Sequence, residues 1–136
     1  MSRIQPVNPA SLMKPVGFSH GYEVKGGRLL FVAGQVAKDA DGHTIGKGDV
    51  VAQFRKACEN IREVVTASGV HMTDIAKLTI YVLDVADYKR HLRELGPVYR
   101  ELFGRHYPAM TLVGASDLFD AADGCVIEIE AMAVLA

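Results

Sequence analysis

The run Cys125-Val-Ile-Glu-Ile-Glu-Ala-Met-Ala-Val134 alternates with period two, and it restricts the fold more tightly than any other stretch of the chain. A strand places successive side chains on opposite faces. Ile127, Ile129, Ala131 and Ala133 therefore share one side, and Val126, Glu128, Glu130, Met132 and Val134 the other. The first side is apolar throughout and must face a core. The second sets two carboxylates between apolar neighbours. Two readings stay open for it: a glutamate pair exposed on an open sheet, or the wall of a pocket or subunit interface.

The rest of the chain supplies partners for this strand. Residues 1–17, with Pro6, Pro9 and Pro15, read as an extended arm. Tyr22–Val24, a turn at Lys25-Gly-Gly27 and Arg28–Ala33 read as a hairpin. Gly34-Gln35 at the end of its second arm marks a bulge or a close backbone approach. Asp49 is placed to cap a helix that ends at Gly69, with Val51, Phe54, Cys58, Ile61 and Val65 as its apolar stripe. From Asp74 to Asp84 a second strand alternates, with Ala76, Leu78, Ile80 and Val82 on one side and Lys77, Thr79, Tyr81 and Leu83 on the other. Ala86 to Phe103 reads as a second helix, kinked at Gly96-Pro97, and Tyr107–Ala115 as a further strand.

This order predicts one α+β domain spanning residues 1–136, with two helices on one face of the sheet. Along the other face the pattern places Tyr81, Met110, Leu112, Glu128 and Met132. That row is too apolar for water, so association of the open faces is expected, with Leu83, Met110, Leu112 and Met132 at the contact.

Composition matters mainly for what it excludes. A net charge of −1 with interspersed signs gives no electrostatic footprint for nucleic acid. The two cysteines, Cys58 and Cys125, lack ligand spacing, and the histidines form no metal-ligand set. No nucleophile elbow and no phosphate-binding glycine loop is present. The N-terminus carries no apolar leader pattern and no run approaches a membrane span, so a cytoplasmic protein without membrane attachment is expected.

Phe18-Ser-His20, Leu30-Phe-Val-Ala-Gly-Gln35, Asp84-Val-Ala-Asp-Tyr88, Tyr107-Pro-Ala109 and Ile127-Glu-Ile-Glu-Ala131 occur in the order and spacing of the RidA (YjgF/YER057c/UK114) family, which the chain resembles over nearly its whole length. The resemblance implies a chorismate-mutase-like α+β fold, a homotrimer whose sheets line a central barrel, and small-molecule clefts between subunits. It further implies cofactor-free hydrolysis of enamines and imines to ketoacids and ammonia. Some relatives are described as ribonucleases, a role the charge balance disfavours here.

Carried over residue by residue, Glu128 matches the glutamate that handles the attacking water. Gly34 and Gln35 match a Gly-Gln step beside the substrate. Phe18 stands where relatives have tyrosine, and Ala33 where many have serine. Met110 stands where active deaminases have the arginine that grips the substrate carboxylate, with Thr111 beside it and Leu112 in place of a common cysteine. His20 at the expected cleft mouth reads equally as base, ligand or structural residue. Arg100 on the second helix is a candidate substitute for the missing charge. Two function classes follow: a hydrolase of this type with a substrate other than simple 2-imino acids, or a module that binds a small ligand in the cleft without turnover.

Overall fold

The computed structural model describes residues 3–136. Its strands are β1 (Ile4–Val7), β2 (Gly21–Val24), β3 (Arg28–Gln35), β4 (Ile75–Val82), β5 (Ala109–Gly114) and β6 (Ile127–Leu135). The helices are α1 (Val50–Ala67), α2 (Val85–Arg90) and α3 (Leu92–Phe103), with single 3₁₀ turns at Met72–Asp74 and Ala121–Asp123. The main sheet runs β3-β6-β4-β5, with β6 antiparallel to both neighbours and β4 parallel to β5. β1 and β2 pair separately. Among the described residues no helix is long and apolar enough to cross a membrane.

The core lies between the helices and one face of the main sheet. Leu78, Ile80 and Val82 of β4 and Ile127, Ile129 and Ala133 of β6 are buried there against Phe54, Cys58, Ile61 and Val65 of α1. The valine, leucine, isoleucine and phenylalanine side chains among them each contribute roughly 1.5–3 kcal/mol on burial. Asp49 caps α1 as its sequence position requires: Oδ1 accepts from the amides of Val51 and Ala52, both at 3.1 Å. One polar residue joins this core. Gln53, fully buried, donates through Nε2 to the carbonyls of Ile45, Gly46 and Gly124, and its Oε1 accepts from the amide of Val126 at 2.8 Å. A helix residue thereby fixes the loop that delivers β6.

Three sequence expectations need correction. The predicted hairpin does not form, because Gly21–Val24 pairs with Ile4–Val7 of the arm instead of with β3. Gly26 and Gly27, both at positive φ (77° and 94°), take the chain from one sheet into the other, and β3 then pairs with β6. The second helix is two helices that part at His91, so three helices replace the expected two. There the imidazole Nδ1 lies 2.8 Å from the Asp87 carbonyl, the acceptor that a continuing helix would give to the His91 amide, while that amide turns to the Tyr88 carbonyl. Pro97 is absorbed inside α3. The proline removes the donor that would meet the Arg93 carbonyl, at a residue that is itself exposed.

The third correction concerns β5. Its parallel register sets Met110 beside Leu78 and Leu112 beside Ile80, so both side chains face the helices and pack on the core. They are not on the open face. That face carries Lys77, Thr79 and Tyr81 of β4, Thr111 and Val113 of β5, and Glu128, Glu130 and Met132 of β6. Leu29 and Phe31 of β3 complete it, and Phe31 is 69% exposed. One end of the face is covered, where Ile4 and Tyr22 of the small sheet bury Val134 and the bulge residue Ala76.

Candidate functional site

Between Val32 and Gln35 the β3–β6 register slips. Val32 pairs with Ala131 and Gln35 with Ile129, leaving Ala33 and Gly34 opposite Glu130 alone. The bulge predicted from Gly34-Gln35 is therefore present. The carboxylate of Glu128 lies against the Gly34 backbone, in the space that a Cβ at this position would occupy. Any larger residue at 34 would displace that carboxylate. Gln35 turns its side-chain amide back to the Ala33 carbonyl at 3.1 Å and stiffens the bulge.

The two glutamates of β6 have different surroundings. Glu130 accepts a hydrogen bond from the Tyr81 hydroxyl at 2.9 Å, and this bond holds the phenol above its ordinary pKa. Glu128 accepts no hydrogen bond from any described residue, and it is half-buried where Glu130 is exposed. A partly desolvated carboxylate with free lone pairs can take a proton from water. On the same face Lys77 donates to the Thr111 hydroxyl at 2.9 Å, so Thr111 belongs to the Glu128 side of the sheet.

Met110 lies on the opposite side, in a cavity of about 290 Å³ between α3, β4, β5 and the arm. Phe54, Ile80, Leu95 and Met110 line it, with Arg100 among the lining residues. Tyr99 and Tyr107, stacked at 5.4 Å and nearly parallel, make one wall. The arm is fastened beside the start of β5: the Ser19 amide donates to the Pro108 carbonyl at 3.0 Å and its hydroxyl to the Tyr107 carbonyl at 2.6 Å. Val16 and Gly17 line the cavity in consequence. Phe18 meets the His20 ring edge-on at 5.2 Å, and His20 Nε2 lies 2.8 Å from the Met13 carbonyl. The His20 ring thus braces the arm.

Within one chain, Gly34, Gln35, Ala33 and Glu128 come together, as do Met110 and the arm leading to Phe18, but the sheet separates the two groups. Leu112 packs on the core with Met110. Sequence reasoning missed the Tyr81–Glu130 bond and the exposed Phe31. A period-two reading of β3 against β6 would have exposed the second. Asp39, Asp41 and His43 bring three donor atoms within 4.8 Å on an exposed loop. Asp39 Oδ1 there already accepts from the amides of Asp41 and His43, so a turn accounts for the cluster.

These features define an α+β protein with one sheet face sealed by helices and the other left open, a lone carboxylate seated on a glycine bulge. A family model described as endoribonuclease L-PSP matches residues 11–135. A RutC family protein of Pyrococcus horikoshii is 37% identical over 120 residues, 88% of this chain and 89% of that protein. The human 2-iminobutanoate/2-iminopropanoate deaminase is 26% identical over 107 residues, 79% of this chain and 73% of its own. A solved structure of a conserved Rid family protein from Yersinia pestis superposes with a TM-score of 0.86 at 32% identity, covering 98% of this chain and 99% of that one. The chain belongs to the endoribonuclease L-PSP family, which takes in the Rid proteins.

Proposed function

We propose that the protein is a cofactor-free hydrolase of enamines and imines whose substrate is other than a simple 2-imino acid. The observation that carries this reading is the Glu128 carboxylate, seated on Gly34 without a donor of its own while Tyr81 occupies Glu130. In the reaction, the oxygen of a water bonds to the imine carbon as Glu128 takes a proton from it. Glu128 then returns the proton to nitrogen, the hydroxyl proton of the tetrahedral intermediate passes to nitrogen through the same carboxylate, and the C–N bond breaks as the C=O bond forms, releasing ammonia and a carbonyl product. The human relative's name supports the reaction class. Met110 argues for the altered substrate, because a thioether offers polarizable apolar surface and no donor to a carboxylate.

The substrate's seat is a cleft between copies of the chain, since Glu128 and Met110 occupy opposite faces of one sheet. A homotrimer closed over the open faces supplies such clefts. Phe31, Leu29, Val113 and Met132 support it, as exposed apolar side chains on one face that water would otherwise wet. Phe18, Ala33, Gly34, Gln35, Thr111 and Leu112 contribute to the cleft or brace it. The unpaired buried thiols Cys58 and Cys125 fit a reducing compartment such as the cytoplasm. The second reading, a ligand-binding module without turnover, draws on the apolar surroundings of Met110.

The test generates imines in situ with an amino-acid oxidase and follows ammonia release. Glu128→Gln keeps the volume and removes the base, so turnover falls by about 10²-fold or more with the assembly intact. Full turnover by Glu128→Gln would remove the carboxylate from the mechanism.

A further inference from the structure

On the β3 side, Glu128 lies past the end of the ladder. The last pair there is Gln35 with Ile129, and the register slips just before it. Something besides strand pairing with β3 must therefore keep the carboxylate over Gly34. Two loops meet at this point, one leaving the bulge after Gln35 and one delivering Ile127 and Glu128 to β6. Both hang on one face of α1. Asn60 Nδ2 donates to the carbonyls of Val36 at 3.1 Å and Lys38 at 3.0 Å, just past the bulge. Gln53, two turns earlier on that face, holds the Gly124 carbonyl and the Val126 amide just ahead of β6.

Asp123 ties one loop to the other. Its Oδ2 accepts from Thr44 Oγ1 at 2.6 Å and Lys38 Nζ at 3.1 Å, and its Oδ1 from Lys47 Nζ at 3.0 Å. These donors hold the Asp123 carboxyl well below the usual carboxylate range. Thr44 bridges back to Lys38, so both Oδ2 donors belong to the loop that leaves the bulge. The spans involved are short: Lys38 comes three residues after Gln35, and Asp123 four before Ile127. Gly124 lets the loops approach. It has a positive φ of 89°, and a Cβ there would come within 2.7 Å of Lys47 Cβ and 3.2 Å of its Cα.

Magnitudes decide what this tie does. The Lys38 and Asp123 side chains are 23% and 47% exposed, and ion pairs so near water add little to global stability. Their effect is on local spacing. Glu128 fills the space of a Gly34 Cβ, so a small shift of either loop opens its seat. We propose that Asp123 is a positioning residue for Glu128, setting through Lys38 and Thr44 how closely the carboxylate meets the Gly34 backbone. The proposal rests on the reading of Glu128 as the base only for what the positioning serves, and a measurement of position without turnover separates the two.

The experiment compares Asp123→Ala and Lys38→Met with a control, Glu101→Gln, which breaks an ion pair between α1 and α3. Position is read by NMR of the full-length protein, from the Gly34 amide and from ¹³C-labelled glutamate carboxyls, Glu128 being identified by its absence in Glu128→Gln. The Glu128 and Gly34 resonances should move in the same direction in both variants, although the two changes remove opposite charges. Glu130, held by Tyr81, should stay, and so should the urea midpoints. On the imine that an amino-acid oxidase forms from leucine, kcat should fall about tenfold in Asp123→Ala with KM within about twofold, because a misplaced base slows the chemical step more than binding. The double variant should lose no more than Asp123→Ala alone, since both changes cut one tie. Glu101→Gln should match the parent throughout. The proposal is overturned by unmoved Glu128 and Gly34 resonances, by shifts of opposite direction in the two variants, which mark only the lost charges, or by an equal shift of Glu130, which marks general loosening. Parental kcat in Asp123→Ala while Glu128→Gln is inactive would also overturn it. Full turnover by Glu128→Gln, with the resonances displaced as expected, would instead remove the catalytic reading and leave the positioning standing.

Discussion

On the helix side of the main sheet, Leu78, Ile80, Ile127 and Ile129 are at most 1% exposed, and the one buried glutamine among them has every hydrogen-bonding group engaged. The same strands present the opposite side with a lysine, two glutamates, a tyrosine and the exposed Phe31. The contrast shows how one set of strands divides its labour. Period-two alternation lets each strand give one face to stability and the other to a site, so a change at one position weighs on one of the two. The Glu128 face is left without a cover by its own chain, apart from the end under Ile4 and Tyr22.

The largest stability effect should come from the sealed side. Gln53→Leu keeps the helix but strands the Val126 amide and three carbonyls that Nε2 now serves. The expected cost is about 2–3 kcal/mol, read as a lower urea midpoint at unchanged m-value. A loss near zero would break the contrast, because the buried polar anchor would then carry no stability.

A smaller effect should appear at the small sheet. His106 Nε2 lies 2.6 Å from the Ile75 carbonyl, and Nδ1 lies 3.3 Å from the Tyr22 hydroxyl. With Nε2 donating and Nδ1 accepting, the neutral ring satisfies both. Burial holds its pKa below the ordinary 6.5. The unfolded chain therefore takes up the proton more readily than the folded one. This contribution is full above about pH 6.5 and is lost as pH falls through the lower folded-state value. Urea midpoints measured from pH 7.5 to 5 should decline, and His106→Gln should flatten the decline by about 1 kcal/mol or less. An equal slope in parent and variant would assign the acid sensitivity elsewhere.

Much of this was legible from residue order. The alternation of β6, the β4 strand, the Asp49 cap and the bulge at Gly34-Gln35 are local signals, each set by a few neighbouring residues and each present. What the sequence concealed depends on pairing. Lys25-Gly-Gly27 has hairpin chemistry, yet β3 can bury Leu30 and Val32 only beside Ala133 and Ala131 of β6. Likewise the face of Met110 follows from a parallel register with β4, and a slip of one residue inverts it. Arg100 and Met110 share a cavity although nine residues and a change of element separate them.

The central claim is that catalysis needs the open face of one chain and the helix-side cavity of another. The direct measurement mixes Glu128→Gln with Met110→Glu, each expected to be inactive in its own assembly, by unfolding and refolding them together and then assaying imine hydrolysis. If clefts form between copies in a homotrimer, the mixture should recover about a quarter of the parent activity in particles three times the 14.7 kDa chain mass. A mixture no more active than its two components, at that same mass, would contradict the account.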